Sequence, residues 1–394
     1  LDVRSFCLEV GISPVSTLTR IIPTVCVQSC STVSLILLFL GVMLACDAKR
    51  TAAAFRQAGG LQTGSNCPEP TWLDAFVSGR SRGRVASRAV SESTDSPLVM
   101  RPGNVLVVGC NKGDSAVGWL SMLTGDVRFD VERWYSMLRD RCSAVGAAGC
   151  PKHFDANECN ICGQCTKYPS LIAREARPLT KVTCVEALPV TAAVLNASVQ
   201  ALGWPVHVVQ AAVTASTAPP TLPFPASIYF GAENLGLSGQ NGNWVLWKKA
   251  NRAHNASGNK KQKYPIVQVQ TTTVDQLVES GQQNIETLLI DAEGYDAEVL
   301  QGASKTLASG QVGYIEFEYN FRAAWRNHNL NGTIDYLDNL GFDCFWAGKK
   351  ALYRITRCWH PYYSKRNFKD WANVACANRR HHRWHAALQQ MAVF

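Results

Sequence analysis

Apolar residues along the chain fall into short blocks separated by polar or glycine-rich stretches. The blocks at residues 104–108 (NVLVV), 181–185 (KVTCV), 206–210 (VHVVQ), 285–290 (IETLLI), 312–317 (VGYIEF), 342–346 and 352–355 are each a few residues long and rich in branched side chains. Runs of this kind predict strands buried on both faces, as in a parallel sheet. Between them, residues 191–202 and 297–307 repeat apolar positions at helical spacing, with Val299, Leu300, Ala303 and Leu307 on one face of the second. Strands alternating with helices predict an α/β architecture: a doubly wound, mostly parallel sheet of seven strands covered on both sides.

One apolar block does not fit that series. Residues 33–45 (VSLILLFLGVMLA) are apolar at nearly every position, and no charged residue occurs between Arg20 and Asp47. A cleaved signal peptide fits the short apolar core, and a single membrane anchor fits the whole uncharged stretch, which reaches the roughly 20 residues a bilayer needs. Residues 1–50 are therefore expected to direct the chain to the secretory pathway or a membrane, with plastid import as the alternative. Residues 51–99, rich in Ala, Gly, Ser and Arg, read as a linker. The α/β domain is expected over 100–360, with a tail over 361–394.

The formal charge is +9, and much of the excess lies late in the chain, at Lys349, Lys350, Arg354, Arg357, Lys365, Arg366, Lys369, Arg379, Arg380 and Arg383. That is a local basic, aromatic tail, read as a solvated flank. The balanced, moderately apolar composition excludes a disordered chain. The chain holds 15 cysteines; Cys142, Cys150, Cys159, Cys162 and Cys165 cluster within 124–180, a stretch without a strand pattern that reads as an insertion. Disulfides of an oxidising compartment and a structural zinc site with His153 both suit the cluster. An iron–sulfur run would need a cysteine before proline, where Tyr168 precedes Pro169.

Three strand ends carry candidate chemistry. Residues 105–113 (VLVVGCNKG) place Gly109 and Gly113 four apart before a helix that can start at Asp114. Glycine lets a ligand come close to the backbone, and the N–H groups there can bind a polar group. Residues 182–189 (VTCVEALP) end a strand in Glu186, where a carboxylate in a doubly wound fold accepts hydrogen bonds from ribose hydroxyls. Such an acid usually follows the glycine loop by about 20 residues, which would suit Asp130, whereas Glu186 requires the intervening insertion. Residues 288–300 (LLIDAEGYDAEVL) place Asp291 and Glu293 at the end of a buried strand, with Asp296 positioned to cap the following helix. Acids at such a place are costly unless they bind a ligand or accept a proton.

Together the three elements resemble the FkbM-type methyltransferases, whose pattern is a strand with D-x-G-x-N-x-G, a later strand ending in E-P, and K-x-D-x-E-G-x-E before a helix. The third element matches at Asp291, Glu293 and Gly294, and continues through Val299, Leu300, Gly302 and Ala303. The acid-ended strand at 314–318 (YIEFE) and Leu340-Gly341-Phe342 are also similar to the family. Three positions depart from it: Val107 stands in place of the first-strand Asp, Leu289 in place of the Lys, and Ala187 follows Glu186. The resemblance implies a Rossmann-like fold that binds S-adenosylmethionine around Gly109, Asn111, Gly113 and Glu186. It further implies methyl transfer to a hydroxyl of a small molecule, glycan or lipid, with Asp291 and Glu293 as candidate catalytic groups and no metal. No nucleic-acid partner is expected, because the Asn/Asp-Pro-Pro-Tyr/Phe motif of amino-group transfer is missing. Val107 and Leu289 motivate a rival reading, a binding module that keeps the fold without catalysis.

Overall fold

The computed structural model describes residues 47–57, 103–124, 126–150, 181–225, 230–231, 266–281, 284–320, 323–348, 351–364 and 372–393. All but Asp47 belong to one compact unit, Ala48–Phe394. The apolar segment 33–45, most of the linker, and Cys159, Cys162, Cys165 and His153 of the cysteine cluster lie outside the described residues.

Helix α1 (Ala48–Gln57) is followed by β1 (Asn104–Val108), α2 (Asp114–Thr124), α3 (Val131–Ala144), β2 (Val182–Glu186), α4 (Pro189–Leu202) and β3 (Val206–Gln210). Three short strands come next, β4 (Ala212–Val213), β5 (Thr221–Pro225) and β6 (Ile266–Thr272), then α5 (Val274–Gly281) and β7 (Ile285–Ile290). The rest comprises α6 (Asp296–Gln301), α7 (Ser304–Ala308), β8 (Tyr314–Tyr319), α8 (Leu330–Asn339), β9 (Phe342–Ala347), β10 (Leu352–Arg354), β11 (Ala372–Asn378), α9 (His382–Met391) and β12 (Ala392–Val393).

The main sheet has nine strands in the order β12-β10-β9-β11-β8-β7-β1-β2-β3, beside a three-stranded sheet β4-β6-β5. The expected count of seven is corrected: the two strands not anticipated are β11, within the sheet, and the two-residue β12 at its edge. From β8 through β3 neighbouring strands are parallel, whereas β11 runs antiparallel to both β8 and β9. Alternate strand residues feed two cores. Val105 and Val107 face Trp119, Trp134 and Leu138 of α2 and α3. Leu106 and Val108 face the side that holds Leu300, Leu307 and Ile334. This is the period-two geometry of a sheet covered on both faces.

Local signals explain the helix ends near the site. Asp130 caps α3 by accepting a hydrogen bond from the Arg133 amide, so its carboxylate serves a helix end. Pro189 occupies the first turn of α4, and Gly203 in the left-handed region ends it. The expected helix over 297–307 divides into α6 and α7 at Gly302 and Ala303.

Three segment boundaries are corrected. Residues 51–57 of the expected linker belong to the helix Ala48–Gln57, and Thr51 and Ala52 are buried. The first part of the expected insertion 124–180 contains α3, whose Trp134, Leu138 and Cys142 are core residues. The expected tail 361–394 supplies β11 to the middle of the sheet and α9 against it. Its sequence ANVACAN is buried at every position but small and partly polar, so it lacks the branched apolar signature by which the other strands are read. Nor are all the basic residues of this region a free flank. Arg379 bonds Asp343 and the carbonyls of Asp338 and Phe342, and Arg357 bonds Asp338.

Candidate functional site

From β1 the chain adds β2 and β3 on one side, and from β7 it adds β8 on the other. Connections diverge where the order reverses, leaving a crevice at the carboxyl ends of the central strands, the usual ligand position in such sheets. A cleft lies there, lined by the Gly109 loop, by Ser115 in the first turn of α2, and by Asp291, Glu316, Glu318 and Asn373.

The loop after β1 is shaped by protein neighbours. Gly109 has φ +80°, and a Cβ there would fall 1.8 Å from the Asp291 carbonyl oxygen. Gly113 has φ +82°, and a Cβ there would fall 2.7 Å from the Trp134 ring. Both positions therefore require glycine for conformation and for close approach. Asn111 between them also has positive φ, a region this residue type tolerates. The Asn111 amide donates to Glu186 Oε2 at 2.9 Å, and the Leu188 amide donates to Oε1 at 2.8 Å. Glu186 is thus joined to the loop across 75 residues of sequence, while its carboxylate, with about four lone-pair positions, retains acceptor capacity. Burial pushes its carboxyl up from the ordinary range, opposed by the amides of Leu188, Asn111 and Ala187. A disulfide from Cys110 to Cys184 ties the same loop to β2. Of the clustered cysteines, Cys142 and Cys150 are joined by a disulfide.

On the other side of the cleft lies a set of carboxyls. The Asp291 amide donates to the Val108 carbonyl at 2.9 Å, which holds the end of β7 against the start of the loop. The Asp291 and Glu318 carboxyls face each other across the cleft end of β7 and β8. Crowding by surrounding protein, then the negative charges of Glu318, Glu293 and Asp296, push the Asp291 carboxyl well above the usual range, although the residue as a whole remains solvent-accessible. Glu293 has φ +52°, unusual for a glutamate, and Gly294 follows with φ +95°. Backbone strain of this kind gathers at functional sites.

Asp296 does not cap α6. It is the first residue of that helix, fully buried, and its Oδ1 accepts from the Glu318 amide at 3.0 Å. Burial and the charge of Glu318 hold its carboxyl well above the usual range. Glu318 is also fixed through its carbonyl, which accepts from Trp325 Nε1 at 3.1 Å.

Gly109, Asn111, Gly113, Glu186, Asp291 and Glu293 therefore lie about the carboxyl ends of three adjacent strands. Glu316, Glu318 and Asn373 join them. Glu316 and Glu318 had a readable signal, two acids two residues apart in an apolar strand and hence on one face of it. Asn373 had none, because its strand reads as tail.

The donor set suits S-adenosylmethionine. The loop is a narrow cradle before a helix N-terminus, Glu186 can accept further hydrogen bonds, and Asn373 Oδ1 is buried at the cleft without a hydrogen-bond partner among the described residues. No group of three or more His, Cys, Asp or Glu residues that could hold a metal ion occurs among the described residues. No curated protein and no solved structure matches the chain. Residues 162–344 match the model of the methyltransferase FkbM domain, a stretch that includes Glu186, Asp291, Glu293 and Glu318 and leaves the Gly109 loop and Asn373 outside it. With β2 through the first half of β9 inside that match and the acid motif beside a glycine loop at the switch point, residues 162–344 are similar to the methyltransferase FkbM domain.

Proposed function

We propose that this domain transfers a methyl group from S-adenosylmethionine to a hydroxyl of a small molecule, glycan or lipid. The observation that carries this reading is the contact of the Gly109 loop with Asp291, which sets a cofactor cradle and a carboxyl of raised proton affinity on one cleft. S-adenosylmethionine supplies an electrophilic methyl group on its sulfonium sulfur. The residues to hold it are the Gly109–Gly113 loop and Glu186. Asp291, when ionised, accepts the acceptor hydroxyl's proton, and its raised affinity brings it nearer the working pH, where general-base catalysis is most efficient. Glu318 acts through Asp291, its negative charge helping to raise the proton affinity of that carboxyl. Glu293 stands beside Asp291 and adds negative charge that sustains the same shift.

Arg357 and Arg379 are engaged with Asp338 and Asp343, which supports an acceptor other than nucleic acid. The disulfides favour an oxidising compartment, in keeping with entry into the secretory pathway; plastid import is the alternative. Among the described residues no helix is long and apolar enough to cross a membrane.

Val107 and Leu289 favour a second reading, a binding module without catalysis. Calorimetric titration of S-adenosylmethionine into the full chain, beside Glu186→Ala, tests the first. Saturable binding that the variant weakens supports a cofactor site. A folded wild-type chain that binds nothing sinks it. Binding without turnover across hydroxyl acceptors selects the second reading.

A further inference from the structure

The strands β7, β8 and β11 all line the cleft, β8 and β11 with the polar side chains of Glu316, Glu318 and Asn373. In the sheet register Leu289 pairs with Glu316, and Glu318 pairs with Asn373. Asn373 is 2 % exposed. Its Nδ2 donates to Glu316 Oε1 at 2.7 Å, which fixes the orientation of the amide, because a carboxylate accepts and the NH₂ must face it. Glu316 is held in turn by the Tyr314 hydroxyl on Oε2 at 2.8 Å. The amide oxygen of Asn373 is left buried and accepts no hydrogen bond from any described residue, though the side chain lines the cleft. A buried acceptor without a donor costs free energy, which a ligand bearing a donor would recover.

The cleft has two polarities. On the β1 side are loop amides and the start of α2, which suit a carboxylate. On the β8–β11 side are the Glu318 carboxyl and the unpartnered Asn373 Oδ1. A carboxylate and an ammonium on one carbon match that arrangement.

We infer that Asn373 Oδ1, oriented by Glu316, accepts a hydrogen bond from the α-ammonium group of the methyl donor. This rests on the cofactor reading above. It assigns cofactor binding to a residue of β11, outside the stretch matched by the family model. Asn373 is then a binding residue and Glu316 a positioning residue.

The test is calorimetric binding of S-adenosylhomocysteine and of its deaminated analogue, which keeps the carboxylate, to the full chain and to Asn373→Leu and Glu316→Gln. In Glu316→Gln the neighbouring amide no longer has a carboxylate to face, and Asn373 can turn its NH₂ toward the cleft. Each variant should lose roughly tenfold in affinity for S-adenosylhomocysteine and little for the analogue. Equal losses for both ligands, or no loss for either, overturn the inference while leaving the cofactor reading intact. A folded wild-type chain that binds neither ligand overturns both. Should Asn373→Leu fail to fold, judged by its melting transition, Glu316→Gln carries the comparison.

Discussion

Val107 of β1 and Leu289 of β7 are direct partners in the parallel register of the two central strands, and both are buried. They are also the two positions where the family pattern has Asp and Lys. In sequence these are separate departures, but in the sheet they are one paired change, with two apolar residues facing each other where the pattern has an acid and a base. Replacing a buried ion pair by well-packed apolar residues is often neutral or stabilising, whereas half the replacement strands a charge. This weakens the case that the departures signal a failing site. Val107→Asp alone should cost about 3 kcal/mol or more by denaturant unfolding. Val107→Asp with Leu289→Lys should recover part of that loss, and strictly additive effects would count against the pairing.

Asp291→Asn should lower kcat at least ~100-fold while leaving cofactor affinity within about twofold, the pattern of a lost general base. The sign of the pH dependence follows from the raised proton affinity of Asp291. The base works ionised, so kcat should rise as pH climbs through that raised value and then level off. A wild-type rate that falls with rising pH over that range would exclude the role.

Asp296 makes an opposite kind of prediction, about stability. Its folded pKa is raised above the unfolded value of about 3.9. Its favourable contribution is therefore fully present below the unfolded pKa and is lost as pH rises through the folded one. Asp296→Asn keeps an oxygen for the Glu318 amide but never ionises. Its melting temperature relative to wild type should rise as pH climbs from about 4 through that raised value and then hold constant. A variant less stable than wild type at pH 8 would mean that the ionised carboxylate is wanted there.

The Cys110–Cys184 disulfide spans a sequence separation of 74 residues and ties the Gly109 loop to β2. Replacing both cysteines by serine should cost roughly 2–4 kcal/mol under oxidising conditions. Under dithiol reductant, which opens the wild-type bond as well, that difference should largely vanish. A full difference that persists after complete reduction would show that the bond does not carry the stability.

Much of the site was legible because each acid or glycine closes a strong local signal. A valine-rich run ending in glycine at Gly109, a strand ending in Glu186, and an apolar strand followed by Asp291 and Glu293 each mark the carboxyl end of a strand without reference to the rest of the chain. The strands β1, β2 and β7 were readable for the same reason, since burial on both faces demands continuous branched apolar residues, whereas the edge strand β3 is only half-buried and was readable from its valines. By contrast, β11 packs between two larger strands with Ala, Cys and Asn, and its only claim to a place in the sheet is its neighbours. Asn373 was invisible with it.

What the sequence determined by itself was the set of strand ends and the acids and glycines that close them, because backbone conformation, burial and desolvation are priced residue by residue. Which of those ends meet was decided by tertiary structure alone. The order of strands puts Gly109 against Asp291, Glu318 against Asn373 and Val107 against Leu289, and such pairings depend on sheet register between segments remote in the chain, where no local propensity acts.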